Sequence, residues 1–127
     1  MIALDKAEVE QLERNAESAC ALLKAMSNER RLMILCHLAT GESSVGDLER
    51  RVGLSQSALS QHLAVLREKN LVATRREAQT IFYRLASPEA EAVMSTLWDL
   101  YCGGAAPHGD AKARSRSKPT PRSRAKA

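Results

Sequence analysis

No run of apolar residues in this chain of 127 is long enough to span a membrane, and the N-terminus shows no signal-peptide pattern. Cysteine is scarce. Cys20, Cys36 and Cys102 form no Cys-x-x-Cys pair. In a chain with no secretion signal, three thiols point to reduced side chains in the cytoplasm rather than to a disulfide framework. A glycine-rich nucleotide loop and a nucleophile elbow are both missing. An enzyme, a thiol oxidoreductase included, is therefore not expected. There is no internal repeat, and the length suits one domain with its own core.

What is present is charge, unevenly spread. The formal net charge is +4. Residues 103–127 carry seven basic side chains and one acidic, so residues 1–102 are left with −2. Within these, residues 50–84 hold seven basic and two acidic side chains, whereas residues 1–29 hold three basic and six acidic. A basic segment on an otherwise acidic domain is an electrostatic footprint for phosphate.

The basic segment overlaps the most informative stretch, SVGDLERRVGLSQSALSQHLAVL, residues 44–66. Ser44 can cap a short helix, with Asp47 at the capping-box position and Val45 and Leu48 as its apolar face. Gly53 suits a turn that needs positive φ. Ser55 can cap a second helix with Leu59, Leu63 and Leu66 on its inner face. Its outer face begins Gln56, Ser57, Ser60, Gln61, short uncharged side chains suited to base edges in a major groove. That is the outline of a helix-turn-helix whose second helix is the reader. An ordinary surface helix with polar outer residues has the same pattern, and the following segment decides between them. Two period-two strands, Leu71–Arg76 and Thr80–Leu85, flank a tip at Glu77-Ala78-Gln79, after a left-handed cap at Asn70. A basic hairpin directly behind a reader helix reads as a wing. Arg75 and Arg76 then reach phosphate or minor groove, and Arg67, Gln79 and Thr80 complete the expected DNA-binding set.

The flanking helices read as scaffold. Asp5, with Glu8, caps a first helix whose stripe Val9, Leu12, Ala16, Ala19, Leu23, Met26 is continuous to Ser27 or Asn28, with Cys20 at its flank. Arg31–Thr40 is apolar on nearly every side and is expected to be the central buried helix, stopped by Gly41. Cys36 shares a face there with Leu32, Leu35 and Ala39 and reads as a small buried hydrophobe. Ser87-Pro88 opens a last helix with Ala90, Val93, Met94, Leu97 and Tyr101 in a stripe broadened by Trp98 and Leu100. So much apolar surface implies a dimer interface shared with the first helix. The fold class is therefore mainly α with a β-hairpin wing, a homodimeric winged helix-turn-helix over residues 1–102. Residues 103–127 read as a disordered basic tail.

This order of elements, with KAMSNERRLMIL, SVGDLERRVGLSQSALSQHLAVLRE and QTIFYRL, resembles the ArsR family of bacterial winged-helix repressors over roughly residues 9–102. The resemblance implies a cytoplasmic, nucleoid-associated homodimer that holds double-stranded DNA at an inverted-repeat operator until an inducer releases it. Many members sense metal through thiols in a pattern ELCVCDL. The matching segment here is Glu42-Ser43-Ser44-Val45-Gly46-Asp47-Leu48, with both thiols absent, and the last helix offers only Glu89, Glu91 and Asp99 and no His. No metal and no cofactor are expected, and His37 and His62 read as structural or surface residues. Cys36 and Cys102 remain, and this pair resembles the sulfide-responsive, HlyU-like branch of the family. The resemblance implies a dithiol that reacts with persulfide, polysulfide or oxidants, closes a sulfur bridge and lowers DNA affinity, with Cys20 structural. A thiol-independent anti-silencing DNA binder and a metal-responsive repressor are the competing readings. Zinc is expected not to release the protein from DNA. A titration showing tight stoichiometric zinc coupled to loss of DNA affinity overturns that expectation.

Overall fold

The computed structural model describes residues 2–103, so the expected disordered tail lies outside the described residues apart from Gly103. The chain opens with α1, Lys6–Arg14, closed at its start by a full capping box. The Glu8 amide donates to Asp5 Oδ1 (2.8 Å) and the Asp5 amide to Glu8 Oε1 (2.9 Å). The single first helix expected from the stripe is broken. Asn15 sits at φ −110°, ψ 8° and its side-chain amide donates to the Gln11 carbonyl (3.0 Å), after which α2 runs Ala16–Met26. Asparagine competes for helix carbonyls, and here it ends one helix and starts the next. Asn28 accepts from the amides of Arg30 and Arg31 and caps α3, Glu29–Ala39. Arg31 turns back, and its Nε donates to the Ala25 carbonyl (2.6 Å) at the end of α2.

Helix α3 is central, as expected, but it is not buried all round. Ile34, Leu35 and Leu38 are buried, while Met33, Cys36 and Ala39 are exposed. The reason is one-sided packing: α3 meets α2, α4, α5 and β3, and the core they share takes in Ile34, Leu35 and Leu38 but not Met33, Cys36 or Ala39. Cys36 is thus not the buried hydrophobe that the sequence suggested.

Past Gly41, Ser43–Ser44 forms a two-residue strand, β1, absent from the sequence-based expectation because two residues carry no period. It pairs antiparallel with β3, giving a three-stranded sheet ordered β1-β3-β2. Helix α4 is Val45–Val52, with Ser44 Oγ accepting from the Asp47 amide (3.1 Å). The reciprocal half of the expected capping box does not form, because the Asp47 carboxylate pairs with Arg50 instead. Gly53 takes φ +76°, where an L side chain is strained, and turns the chain into α5, Gln56–Glu68. The Ala58 amide donates to Ser55 Oγ (3.2 Å). Asn70 follows in the left-handed region at φ 64°.

The wing is β2, Val72–Glu77, and β3, Thr80–Leu85, joined by Ala78-Gln79 with Ala78 at φ 58°. Val72 faces Leu85, Arg75 faces Phe82 and Glu77 faces Thr80. Helix α6, Pro88–Tyr101, starts under Ser87, whose Oγ accepts from the Ala90 amide (3.0 Å).

The largest fully buried side chains are Ile34, Leu35, Leu48, Leu59, Leu63 and Leu66. Four of these six belong to α4 and α5, so the helix-turn-helix is itself the core rather than an attachment to it. Each such leucine removed from water contributes about 1.5–3 kcal/mol. Leu59→Ala should lower unfolding free energy by about 2–5 kcal/mol in urea titration. A loss close to zero would contradict the packing of α5.

Candidate nucleic-acid interface and cysteine pair

Burial of Leu59, Leu63 and Leu66 fixes the rotation of α5 about its axis. The opposite face then carries Gln56, Ser57, Ser60 and Gln61, all exposed, with Ser55 at the N-cap. Ser55 Oγ is committed to the cap, whereas the side chains of Gln56, Ser57, Ser60 and Gln61 enter no hydrogen bond among the described residues. They are open donors and acceptors on a rigid element, as base-edge readout requires. Arg67 is exposed in the last turn of α5, at the far end of the helix from this cluster. Basic groups also lie near the middle of α5. Burial pulls the His62 pKa down, and Arg31 and Arg30 add to the effect, so the basic start of α3 lies within reach of the reader helix. Burial and Arg51 together pull His37 down.

The wing divides its expected DNA-binding residues into two kinds. Arg76, Gln79 and Thr80 are exposed near the tip, and Arg76 makes no ion pair among the described residues. Arg75 is heavily engaged. Its Nε and Nη2 donate to the two carboxylate oxygens of Glu42, each at 2.9 Å, and its Nη1 donates to Glu77 (3.1 Å). Its guanidinium carbon lies 4.4 Å from the centre of the Phe82 ring. The hydrogen bond from Arg75 holds the Glu42 carboxyl below the usual carboxylate range, and the two carboxylates raise Arg75 further. Glu42 and Phe82 went unnoticed in the sequence as partners of Arg75. Glu42 is 33 positions away, and only the β1–β3 pairing brings its segment alongside.

Cys36 lies in the third turn of α3 and Cys102 is the C-cap of α6. Both are solvent-accessible free thiols, as is Cys20. Cys36 is nonetheless crowded enough for desolvation to push its thiol up, and a Cys102 thiolate pushes it further. The two sulfurs are therefore electrostatic neighbours although 66 positions separate them, and no cation offsets the effect at Cys36. The amides of Cys102 and Gly103 both donate to the Trp98 carbonyl, at 2.8 and 2.7 Å, which closes α6 at the thiol. Among the described residues no three His, Cys, Asp or Glu side chains gather as a metal site. Ser44, at a family thiol position, serves as the α4 cap.

A recognition helix presented beside a basic hairpin is the construction of a winged helix-turn-helix regulator. Residues 28–74 match the family model described as bacterial regulatory protein, arsR family. The chain is 57% identical over 94 residues to the transcriptional activator HlyU of Vibrio cholerae, covering 74% of this chain and 87% of that protein. It is 44% identical over 93 residues to the biofilm growth-associated repressor of Xylella fastidiosa, covering 73% of this chain and 82% of the relative. The structure of reduced HlyU from Vibrio cholerae superposes with a TM-score of 0.69 at 58% identity, covering 73% of this chain and 98% of that one. The chain belongs to the ArsR family. It is a DNA-binding transcriptional regulator, and like these relatives it is not an enzyme.

The raised Cys36 pKa leaves that sulfur mostly protonated at neutral pH. Thiolate is the reactive form, so alkylation at Cys36 should accelerate about tenfold between pH 7 and pH 8. Mass spectrometry of iodoacetamide-labelled peptides reads this directly, and a flat profile would contradict the crowding described.

Proposed function

We propose that this regulator is a cytoplasmic, nucleoid-bound repressor. In this reading it acts as a homodimer on an imperfect inverted repeat and lets go when Cys36 and Cys102 are joined by sulfur. The observation that carries the DNA half is the exposed, unengaged face Gln56, Ser57, Ser60, Gln61 within the basic segment. These residues read bases, and Ser55, Arg67, Arg76, Gln79 and Thr80 fix the register on the backbone or minor groove.

Dimerisation rests on exposed apolar surface. Leu12, Leu23, Trp98 and Tyr101 are 53%, 54%, 56% and 75% exposed, and α1 buries no residue at all. Helix α6 buries only Ala90. Residues 1–102 serve as one DNA-binding and dimerisation domain, with residues 103–127 as a basic tail that adds non-specific attraction to DNA. No helix among the described residues is long and apolar enough to cross a membrane.

The switch rests on the influence of Cys102 on Cys36 and on where the two thiols lie. One thiol is on the helix that supports the reader and the other ends the proposed dimer helix. Two thiols and one sulfane sulfur of a polysulfide give one disulfide and one sulfide. Two electrons pass from the cysteine sulfurs to the sulfane sulfur, and both protons leave with it. Such a bridge ties the reader heads to the dimer helices. Half-sites lie about 34–36 Å apart, so a small rotation spoils simultaneous docking. A coupling of about 1–3 kcal/mol weakens binding roughly 5–150-fold.

The test is DNA binding before and after polysulfide treatment. The wild type should lose DNA and acquire a Cys36–Cys102 link with Cys20 unmodified. Cys36→Ser and Cys102→Ser variants should keep DNA. Release that persists in both variants would overturn the switch, and a protein monomeric at micromolar concentration would overturn the dimer. Gln56→Ala or Gln61→Ala should cost about 1–3 kcal/mol in operator affinity and relax specificity.

A further inference from the structure

We propose that Arg75 is a strut which, with Glu42, sets the angle of the wing against the helix-turn-helix, and that it does not grip phosphate. The proposal deepens the DNA-binding reading above and rests on it. The guanidinium already has three hydrogen bonds and a ring contact, although its side chain is 48% exposed. Both Glu42 oxygens take its Nε and Nη2 at 2.9 Å, the bidentate fork that suits arginine and not lysine. Glu77 takes Nη1 at 3.1 Å, and the planar face lies over Phe82 at 4.4 Å.

Two carboxylates against one guanidinium more than offset the charge of Arg75, with Arg84 the further cation acting on Glu42. A phosphate could recruit Arg75 only by displacing charge-assisted bonds already made. Because Glu42 is held below the usual carboxylate range, it stays ionised throughout the neutral range and the cluster stays intact.

The cluster also connects what needs connecting. Phe82 of β3 faces Arg75 of β2 on one side and Ser44 of β1 on the other. Ser44 caps α4, the first helix of the helix-turn-helix, and Glu42 lies two residues before it. The hairpin is anchored at its base by buried Leu71, Val72 and Tyr83, while residues 75–81 are exposed. Glu42–Arg75 is the side-chain bond that ties this outer half to the segment entering α4. Arg76, Gln79 and Thr80 then arrive at DNA from a fixed direction relative to α5.

The experiment uses the full chain and a duplex selected by the wild type from a random-sequence pool. Glu42→Gln removes a negative charge, and that alone would favour DNA. A strut nevertheless predicts weaker binding, on the order of tenfold. Arg75→Ala should weaken binding by a similar factor, and Glu42→Gln with Arg75→Ala should be no worse than either change alone. Arg75→Lys keeps the charge but loses the fork, and should behave like Arg75→Ala. Binding by Glu42→Gln as tight as wild type or tighter, or near-wild-type binding by Arg75→Lys, overturns the proposal. A second measurement needs no variant and no DNA. The Arg75 Nε–H should exchange with water markedly more slowly than that of Arg76 in NMR spectra of the free protein, and equal rates overturn the strut. A wild type that enriches no duplex sinks the DNA-binding reading itself, and the exchange measurement keeps the two failures apart.

Discussion

Everything in this molecule follows from burying one face of α5. Leu59, Leu63 and Leu66 enter a core shared with Ile34 and Leu35 of α3 and Leu48 of α4. An α-helix repeats every 3.6 residues, so fixing those three leucines leaves no freedom in where Gln56, Ser57, Ser60 and Gln61 point. A polar face whose orientation came from a loop could slide on its support. This one cannot turn without taking apolar surface out of the core. The local capping chemistry serves the same end, since Ser44, Gly53, Asn70 and Ser87 fix where each element begins or stops.

The small sheet extends that control sideways. Strand β1 is only two residues long, yet its pairing with β3 places the segment before α4 beside the hairpin. Glu42 therefore meets Arg75 and Phe82 meets Ser44 across strands. Residues 50–84 are rich in basic side chains, yet one of these arginines is paired with two carboxylates. A count of basic residues between 50 and 84 thus overstates the positive charge available to a ligand, because position and pairing decide which charges are free.

The end helices follow a different logic. Their apolar residues are placed at helical spacing but find little to cover them within one chain. Cys102 caps the last of these helices and Cys36 is a solvent-accessible but crowded thiol of α3, so the two stand at the margin between the core and the exposed surface. The Cys36 thiol is raised by crowding and by its neighbour, with no cation to lower it. Thiolate is the reactive form, so both effects lower the share of reactive Cys36 at neutral pH.

The sequence by itself determined the order from α3 through the helix-turn-helix and hairpin to α6, save for β1, with the caps at Asp5, Ser44, Ser55 and Ser87, the turn at Gly53, and the inner and outer faces of α5. These are properties of spacing and local hydrogen bonding, which act within a few residues. The motifs of residues 44–68 also carried the family. Tertiary structure alone decided the rest. Asn15 breaks the first helix because its side chain claims the Gln11 carbonyl. Helix α3 buries Ile34, Leu35 and Leu38 but leaves Met33, Cys36 and Ala39 exposed, and no hydropathy pattern reports which neighbours a helix has. The partnership of Glu42 with Arg75 spans 33 residues and depends on a strand too short to have a period. The mutual influence of Cys36 and Cys102 depends on where α3 and α6 come to rest, which side-chain periodicity within either helix cannot encode.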